Sequence, residues 1–194
     1  MMNDNMKFAN TVLLIDVAFI EDVASDFRRH FSALLGRELP KADLALFLEC
    51  IALEAGVRSA DNSIQVLFIY NSAHKSLNSF HPSSLDKELN NVAFKGNLGE
   101  FSLLSFQPSD MVTSDELFME SMKVVLDSAE VKNAIVVPPL QLSNDDISEV
   151  LAKVDGKENV VFFGMKPMEF PSSVKWETIG YALMKALGIK ADEL

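Results

Sequence analysis

Acidic side chains stand directly after several of the strands that the sequence predicts. The apolar run Val12 to Ile15 ends at Asp16. Later strands are followed by four more aspartates, which are Asp110, Asp115, Asp145 and Asp146. Because the carboxyl ends of parallel strands meet at one edge of a sheet, these carboxylates are expected to lie near one another. They would repel one another unless a hard cation such as Mg²⁺ or Mn²⁺ lay between them. Such an ion can activate water for metal-dependent nuclease or phosphatase chemistry.

Most of these aspartates also have an ordinary structural explanation. Asp115 and Asp146 fit the first turn of a helix, where the helix dipole favours a negative charge. Asp110 and Asp145 fit turns. Asp16 is the hardest to explain in this way, because it directly ends a buried strand. A shared metal site and a set of separate capping residues therefore both stay open.

Other familiar site motifs are absent from the sequence. It contains no Gly-x-Gly-x-x-Gly after the first strand, no Walker phosphate loop and no Gly-x-Ser-x-Gly elbow. The three histidines, His30, His74 and His81, do not have the spacing of metal ligands on a helix. The acids are therefore the main candidates for chemistry.

Strands that alternate with helices must position these acids. Apolar runs predict five strands, at about 11–16, 64–70, 101–106, 134–137 and 160–163. Helical spacing predicts helices at about 20–35, 43–55, 113–128, 143–154 and 172–188. Strands joined by helices pair in parallel through right-handed crossovers. The sequence thus predicts a single α/β domain over 1–194, a three-layer α/β/α sandwich with a mainly parallel five-stranded sheet.

The remaining segments suggest where the chain is loose and where it meets partners. Residues 1–9 are predicted to be a loose lead-in, and the weakly patterned stretch 71–99 to be a long loop. The first helix is expected to expose a polar face that carries Glu21, Asp22, Arg28 and Arg29. A stripe on the C-terminal helix either packs on its own domain or forms a homodimer seam; it consists of Trp176, Ile179, Leu183 and Leu187.

Charge and cysteine content narrow the classes of function. The net charge of -11 opposes binding to nucleic acid or to an anionic membrane unless a metal ion or a basic patch intervenes. The single cysteine, Cys50, excludes an intramolecular disulfide and is predicted to be a buried structural thiol. The first seven residues are polar and lack the apolar core that is typical of a signal peptide, and no apolar run approaches the length of about 20 residues that a membrane span needs. The sequence therefore predicts a cytoplasmic protein without a membrane span.

The succession of strands, helices and acids over about 11–165 resembles the NYN branch of the PIN-like superfamily. Leu13-Leu-Ile-Asp16 matches its first strand, Ser114-Asp-Glu-Leu-Phe-Met-Glu120 is similar to its acidic helix start, and Asp145-Asp-Ile147 resembles its later acids. The resemblance implies a Mg²⁺-dependent or Mn²⁺-dependent ribonuclease fold. It implies catalytic Asp16 and Asp115, with a metal-ligand set of Asp16, Asp115, Glu120, Asp145 and Asp146. The Ser-Gly-Asp-x-Asp-Phe motif of that branch is missing, and Pro138-Pro139 stands at its start.

The sequence leaves three functions open. The missing motif and the negative charge favour a binding or scaffolding module without catalysis, which would meet a protein partner or a second copy through the C-terminal stripe or the 71–99 loop. The alternative is an active PIN-like ribonuclease, with Lys75 or Lys95 meeting phosphate. A small-molecule enzyme that uses His74 and Lys75 at the same edge is the third.

Overall fold

A computed structural model describes residues 6–194 of the chain. The strands, in chain order, are β1 (Thr11–Asp16), β2 (Ala42–Asp43), β3 (Asn62–Ile69), β4 (Phe80–His81), β5 (Val92–Gly96), β6 (Gly99–Phe106), β7 (Asn133–Val137), β8 (Asn159–Gly164) and β9 (Val174–Thr178). The helices are α1 (Val17–Leu35), α2 (Leu44–Glu54), α3 (Ser114–Asp127), α4 (Asn144–Leu151) and α5 (Gly180–Ala186), followed by a 3₁₀ turn at Ala191–Glu193.

Seven of the strands form one mixed sheet in the order β5-β6-β3-β1-β7-β8-β9. All neighbours pair in parallel except β5 and β6, which form an antiparallel hairpin at one edge. The prediction of an α/β protein with a mainly parallel sheet is therefore confirmed, but the count of five strands is wrong. The two missed strands, β5 and β9, are the edge strands of the sheet. A short strand exposed at an edge lacks the continuous apolar run that marks a central one.

The six parallel strands, numbered along the chain, have the spatial order 3-2-1-4-5-6. This is the order of a doubly wound sheet, in which the chain reverses direction beside the first strand. The strand β1 lies at that reversal, between β3 and β7, and all six of its residues are buried. Its last residue, Asp16, therefore stands at the edge where such sheets open a crevice.

The sheet is covered on both faces. Leu13 and Ile15 of β1 pack in the cluster that contains the buried sides of α1, α2 and α5. Val12 and Leu14, which point the opposite way along the strand, pack in the cluster that contains α3 and α4. The three-layer arrangement is the direct result of an apolar strand that is buried on both faces.

The sequence pattern predicts a single helix over 172–188, and this prediction is wrong. The segment forms β9, which pairs in parallel with β8, and then the short helix α5. Trp176 packs in the cluster on the α3 and α4 side of the sheet, whereas Leu183 and Leu187 are fully buried on the other side. The four residues therefore do not form one stripe, and the three on the α5 side pack within their own domain.

The start of the described chain is held against the sheet. The Phe8 backbone N–H donates to the Glu130 carboxylate at 3.0 Å, and the Ala9 N–H donates to the Gln65 side-chain oxygen at 3.2 Å. Phe8 is only 9% exposed. The sequence predicts a loose lead-in over residues 1–9, whereas these contacts hold Phe8 and Ala9 against the sheet; residues 1–5 lie outside the described part. Within the described part, no helix has the length and apolar character needed to cross a bilayer.

Candidate functional site

Asp16 ends β1 and caps α1, so one side chain joins the central strand to the first helix. Its Oδ1 accepts a hydrogen bond from the Phe19 backbone N–H at 2.8 Å, which satisfies one of the free donors at the helix start. Oδ2 accepts no hydrogen bond from residues 6–194. It is also not among the described polar atoms that are fully buried without a partner, so part of it faces open space. Asp16 therefore presents one free carboxylate oxygen while the residue as a whole is only 3% exposed.

The surroundings of Asp16 disfavour its charged form. The pKa of Asp16 is raised from 3.8 to about 6, and burial is the largest cause. The negative charges of Asp115 and Asp22 contribute to this rise, whereas the Phe19 hydrogen bond and the charge of His74 oppose it. Asp16 is therefore ionised at neutral pH at a free-energy cost, which a bound cation would reduce.

Asp115 comes from a different part of the chain, the helix α3 that follows β6. It lies in the first turn of α3, which begins with a capping box between Thr113 and Glu116. Gln141, from the loop after β7, donates its side-chain amide to Asp115 Oδ1 at 3.0 Å. The charge of Asp115 contributes to the raised pKa of Asp16. That the two carboxylates share one site stays a prediction from the sequence.

A cleft of about 520 Å³ opens above Asp16. One wall is the first three turns of α1, and the other is formed by the loops that follow β7 and β8. The residues that line it are Asp16, Ala18, Phe19, Asp22, Val23, Ser25, Asp26, Leu140, Gln141, Met165 and Lys166. We call this space the Asp16 cleft.

The charges of the Asp16 cleft are unequal. Asp26 is paired with Arg29 on the outer surface of α1, at 2.7 Å. Asp16 and Asp22 have no ion pair with residues 6–194, and neither does the exposed Lys166 on the opposite wall. The carboxylates of Asp16 and Asp22 therefore outnumber the single ammonium group of Lys166. The cleft is thus a local negative site that favours a positively charged group.

The other predicted metal ligands lie elsewhere. Asp146 lies in the first turn of α4, where its Oδ2 accepts a hydrogen bond from the hydroxyl of the N-cap residue Ser143 at 2.6 Å. Asp146 also lines a groove between α3 and α4, together with Lys123 and Lys153. Asp145 and Glu120 are exposed, and neither lines the Asp16 cleft. In the part of the chain that the structure describes, no group of three or more His, Cys, Asp or Glu side chains could hold a metal ion.

The loop after β3 contributes His74 to the surroundings of Asp16. His74 Nδ1 lies 3.1 Å from Asn71 Oδ1, and because a side-chain carbonyl oxygen only accepts, Nδ1 donates this hydrogen bond. Lys75 is exposed beside His74, whereas Lys95 lies on the edge strand β5.

Glu21, expected on the polar face of α1, is buried instead. Its two carboxylate oxygens accept hydrogen bonds from the Ser79 backbone N–H, both at 3.0 Å, and Oε1 also accepts from the Ser79 hydroxyl at 2.8 Å. Glu21 and Ser79 are 58 residues apart in sequence, so local spacing gives no signal for this contact. The bond attaches the segment that precedes β4 to α1.

Cys50 is half-buried on α2, packed against the apolar cluster on that side of the sheet. Burial is the largest cause that raises the pKa of its thiol, and the charge of Glu54 adds to it. A raised pKa keeps the thiol protonated and poorly nucleophilic, in agreement with a structural role.

Comparison with known families assigns the chain to a family. A model of a family of unknown function, DUF6621, matches residues 5–194. The chain belongs to this family. No curated protein matches the DUF6621 chain, and no solved structure matches it. The resemblance to PIN-like and NYN domains stays a prediction from sequence.

The sequence does not single out several residues of the Asp16 cleft in this DUF6621 protein. Asp22 lies six positions after Asp16, about 1.7 helical turns, a spacing that does not place two side chains on the same face of a helix. Gln141, Leu140, Met165 and Lys166 belong to loops, where the sequence carries no periodic signal. Their convergence depends on the order of strands in the sheet.

Proposed function

We propose that this DUF6621 protein is a protein-binding module, and that the Asp16 cleft accepts a positively charged side chain of its partner. The observation that carries the proposal is a buried carboxylate, Asp16, with one oxygen open to a cleft of negative character. This keeps the binding module that the sequence favours and moves its contact surface to the carboxyl edge of the sheet.

A cation would improve the surroundings of Asp16 in two ways. It would pair with the free Oδ2, and it would offset the repulsion from Asp115 and Asp22 that raises the pKa of Asp16. An arginine guanidinium suits the cleft best, because its planar fork donates to carboxylates and stacks on aromatic rings such as that of Phe19, which lines the cleft.

The rim of the cleft supports a protein partner rather than a free small cation. Leu140 is 76% exposed and Met165 is 41% exposed, and both line the cleft. Met111, in the loop after β6 at the same edge of the sheet, is 94% exposed. Exposed apolar side chains around a polar centre are typical of protein interaction sites, and methionine adapts well to different partners.

The proposal is tested by NMR titration of the ¹⁵N-labelled protein with N-acetyl-arginine methylamide. The matched ligand is N-acetyl-citrulline methylamide, which keeps the shape and loses the charge. We expect the arginine compound to shift the amide signals around Asp16 and Phe19 with a Kd in the ~millimolar range, since a single side chain supplies only about 4 kcal/mol.

The protein variants separate charge from shape. Asp16→Asn should weaken the arginine compound at least ~tenfold, because a charge-assisted hydrogen bond contributes about 1.5–3 kcal/mol. Asp145→Asn, which removes an exposed carboxylate outside the cleft, should leave binding unchanged. Equal binding of the arginine and citrulline compounds, or binding by Asp16→Asn that equals wild type, would contradict the proposal.

A second candidate function is Mg²⁺-dependent or Mn²⁺-dependent RNA cleavage, favoured by the charge of Asp115, which acts on Asp16 from a separate element. Carboxylate oxygens are the donors that a hard divalent cation prefers, so Asp16 and Asp115 would hold it. Bound there, the ion would supply an activated water for phosphodiester hydrolysis. Calorimetric titration with Mn²⁺, on wild type and on Asp16→Asn, tests this candidate. Saturable binding that the variant loses, followed by RNA cleavage, would support it, and no binding at millimolar ion would reject it.

A further inference from the structure

A second, apolar cavity adjoins the Asp16 cleft. It has a volume of about 190 Å³ and lies between the loops that follow β7 and β8. Its own lining residues are Pro138, Pro139, Leu142, Phe163, Gly164 and Met168. We call it the Pro139 pocket. Its one charged lining residue is Lys166, which it shares with the Asp16 cleft, and its own lining residues are uncharged and mainly apolar, so the pocket favours an apolar group.

The two spaces adjoin one another, and together we call them the groove. They share four lining residues, which are Phe19, Leu140, Met165 and Lys166. One end of the groove is acidic, with Asp16 and Asp22, and the other end is apolar. A ligand that fills both ends must therefore carry a positive charge and an apolar group side by side.

We propose that the Pro139 pocket takes a bulky aliphatic side chain from the residue next to the basic residue of the partner segment. This inference rests on the proposed function, because the Asp16 cleft supplies the cation site that sets the chemistry of the neighbouring residue. The volume of the pocket equals that of about six water molecules at ~30 Å³ each, which is enough for a leucine side chain. Moving water off its proline, phenylalanine and methionine walls would favour an apolar side chain.

Two exposed residues that line both the Asp16 cleft and the Pro139 pocket favour a partner segment that occupies the two spaces together. Leu140 and Met165 stand on the rim between the two ends, and their apolar surfaces would be covered by the backbone of a segment that crosses from one end to the other. The groove would thus bind two adjacent side chains of an extended segment, a basic one and an aliphatic one.

The test is NMR titration with capped dipeptides. N-acetyl-Arg-Leu-amide and N-acetyl-Leu-Arg-amide cover both directions of the chain through the groove, and N-acetyl-Arg-Gly-amide lacks the aliphatic group. We expect at least one arginine and leucine dipeptide to bind about tenfold tighter than Arg-Gly, and to shift signals of Leu142 and Met168 as well as those around Asp16.

Two variants locate the gain. Met168→Ser, in the irregular segment between β8 and β9, should remove the advantage of leucine while leaving Arg-Gly binding unchanged. Met119→Ser is the matched control, since Met119 is also half-buried but lines the groove between α3 and α4. This control should keep the full advantage of leucine.

The outcomes separate the inference from the proposed function. If Arg-Gly binds at Asp16 and both leucine dipeptides bind no tighter, the Pro139 pocket inference is overturned and the cation site stands. If no arginine dipeptide binds, the proposed function fails and the inference falls with it. If Met119→Ser removes the advantage as fully as Met168→Ser does, the pocket is not the source of the gain and the inference is overturned.

Discussion

Two buried carboxylates, one at the start of α1 and one within it, differ in the number of partners that they have. Glu21 accepts three hydrogen bonds from Ser79 and is 8% exposed. Asp16, five residues earlier, is 3% exposed and accepts a single hydrogen bond, from the Phe19 N–H. Burial therefore leaves one carboxylate oxygen of Asp16 without a hydrogen bond from the described residues, whereas both oxygens of Glu21 accept hydrogen bonds.

The difference teaches how to separate structural acids from functional ones in this fold. Glu21 is fully satisfied within the domain, so its charge serves to attach a distant segment to α1. Asp16 remains under-satisfied and faces a cleft, and its raised pKa records that cost. A polar group that stays poorly satisfied in the folded state is a candidate for a ligand contact.

Removing the satisfied carboxylate should have the largest effect on stability. Glu21→Ala leaves the Ser79 N–H and hydroxyl buried without a partner, and we expect the free energy of unfolding to fall by about 4 kcal/mol. Urea denaturation followed by circular dichroism measures this value. Asp22→Ala, the exposed neighbour, is the control and should change stability by less than ~0.5 kcal/mol.

Removing the charge of the poorly satisfied carboxylate, Asp16, should increase the free energy of unfolding at neutral pH. The pKa of Asp16 is about 6 in the folded protein, above its ordinary value of 3.8, so the folded state holds an extra proton between these pH values. The stability that this proton confers is present below pH 3.8 and is lost as pH rises through 6. We therefore expect Asp16→Asn to be more stable than wild type by up to about 3 kcal/mol at pH 7, with the gain disappearing towards pH 4.

Urea denaturation at several pH values checks the sign of that effect. The side-chain oxygen of the introduced asparagine would still accept the Phe19 hydrogen bond, so the helix cap is kept. Asp145→Asn should show the wild-type pH dependence. A stability difference between Asp16→Asn and wild type that does not vary with pH would place the cause outside the titration of Asp16.

The smallest expected effect is on the pKa of Asp16 when a neighbouring charge is removed. Asp115→Asn keeps a side-chain oxygen for the Gln141 amide and removes a charge that raises the pKa of Asp16. We expect the pKa of Asp16 to fall by less than about one unit, because burial is the larger cause. Carbon-13 NMR of the Asp16 carboxyl group measures it. An unchanged pKa would mean that Asp115 does not act on Asp16.

The sequence carries a clear signal for the centre of the fold and a weak one for its edges. The uninterrupted run Val12 to Ile15 predicts a strand buried on both faces, and its abrupt end at a carboxylate singles out Asp16. The strand β9 reads Val-Lys-Trp-Glu-Thr, and helical spacing across it predicts the wrong element. Pairing with β8, a tertiary interaction, decides that segment.

The site was only partly predictable for the same reason. Asp16 and Asp115 follow strands, so topology alone brings them to one edge of the sheet. The position of Asp146 in the groove between α3 and α4 depends on how α4 begins, where Ser143 holds the carboxylate. The burial of Glu21 depends on Ser79, a residue that no local pattern links to α1.

The most direct test of the central claim is the pKa of Asp16 with and without N-acetyl-arginine methylamide, followed by carbon-13 NMR of its carboxyl group from about pH 4 to pH 8, the range that brackets a raised carboxyl pKa. We predict a pKa of about 6 in the free protein. With the cation at saturation, we predict a fall of about one unit, because pairing favours the ionised form. A pKa near the ordinary value of 3.8 in the free protein, or no change at saturating cation, would contradict the account.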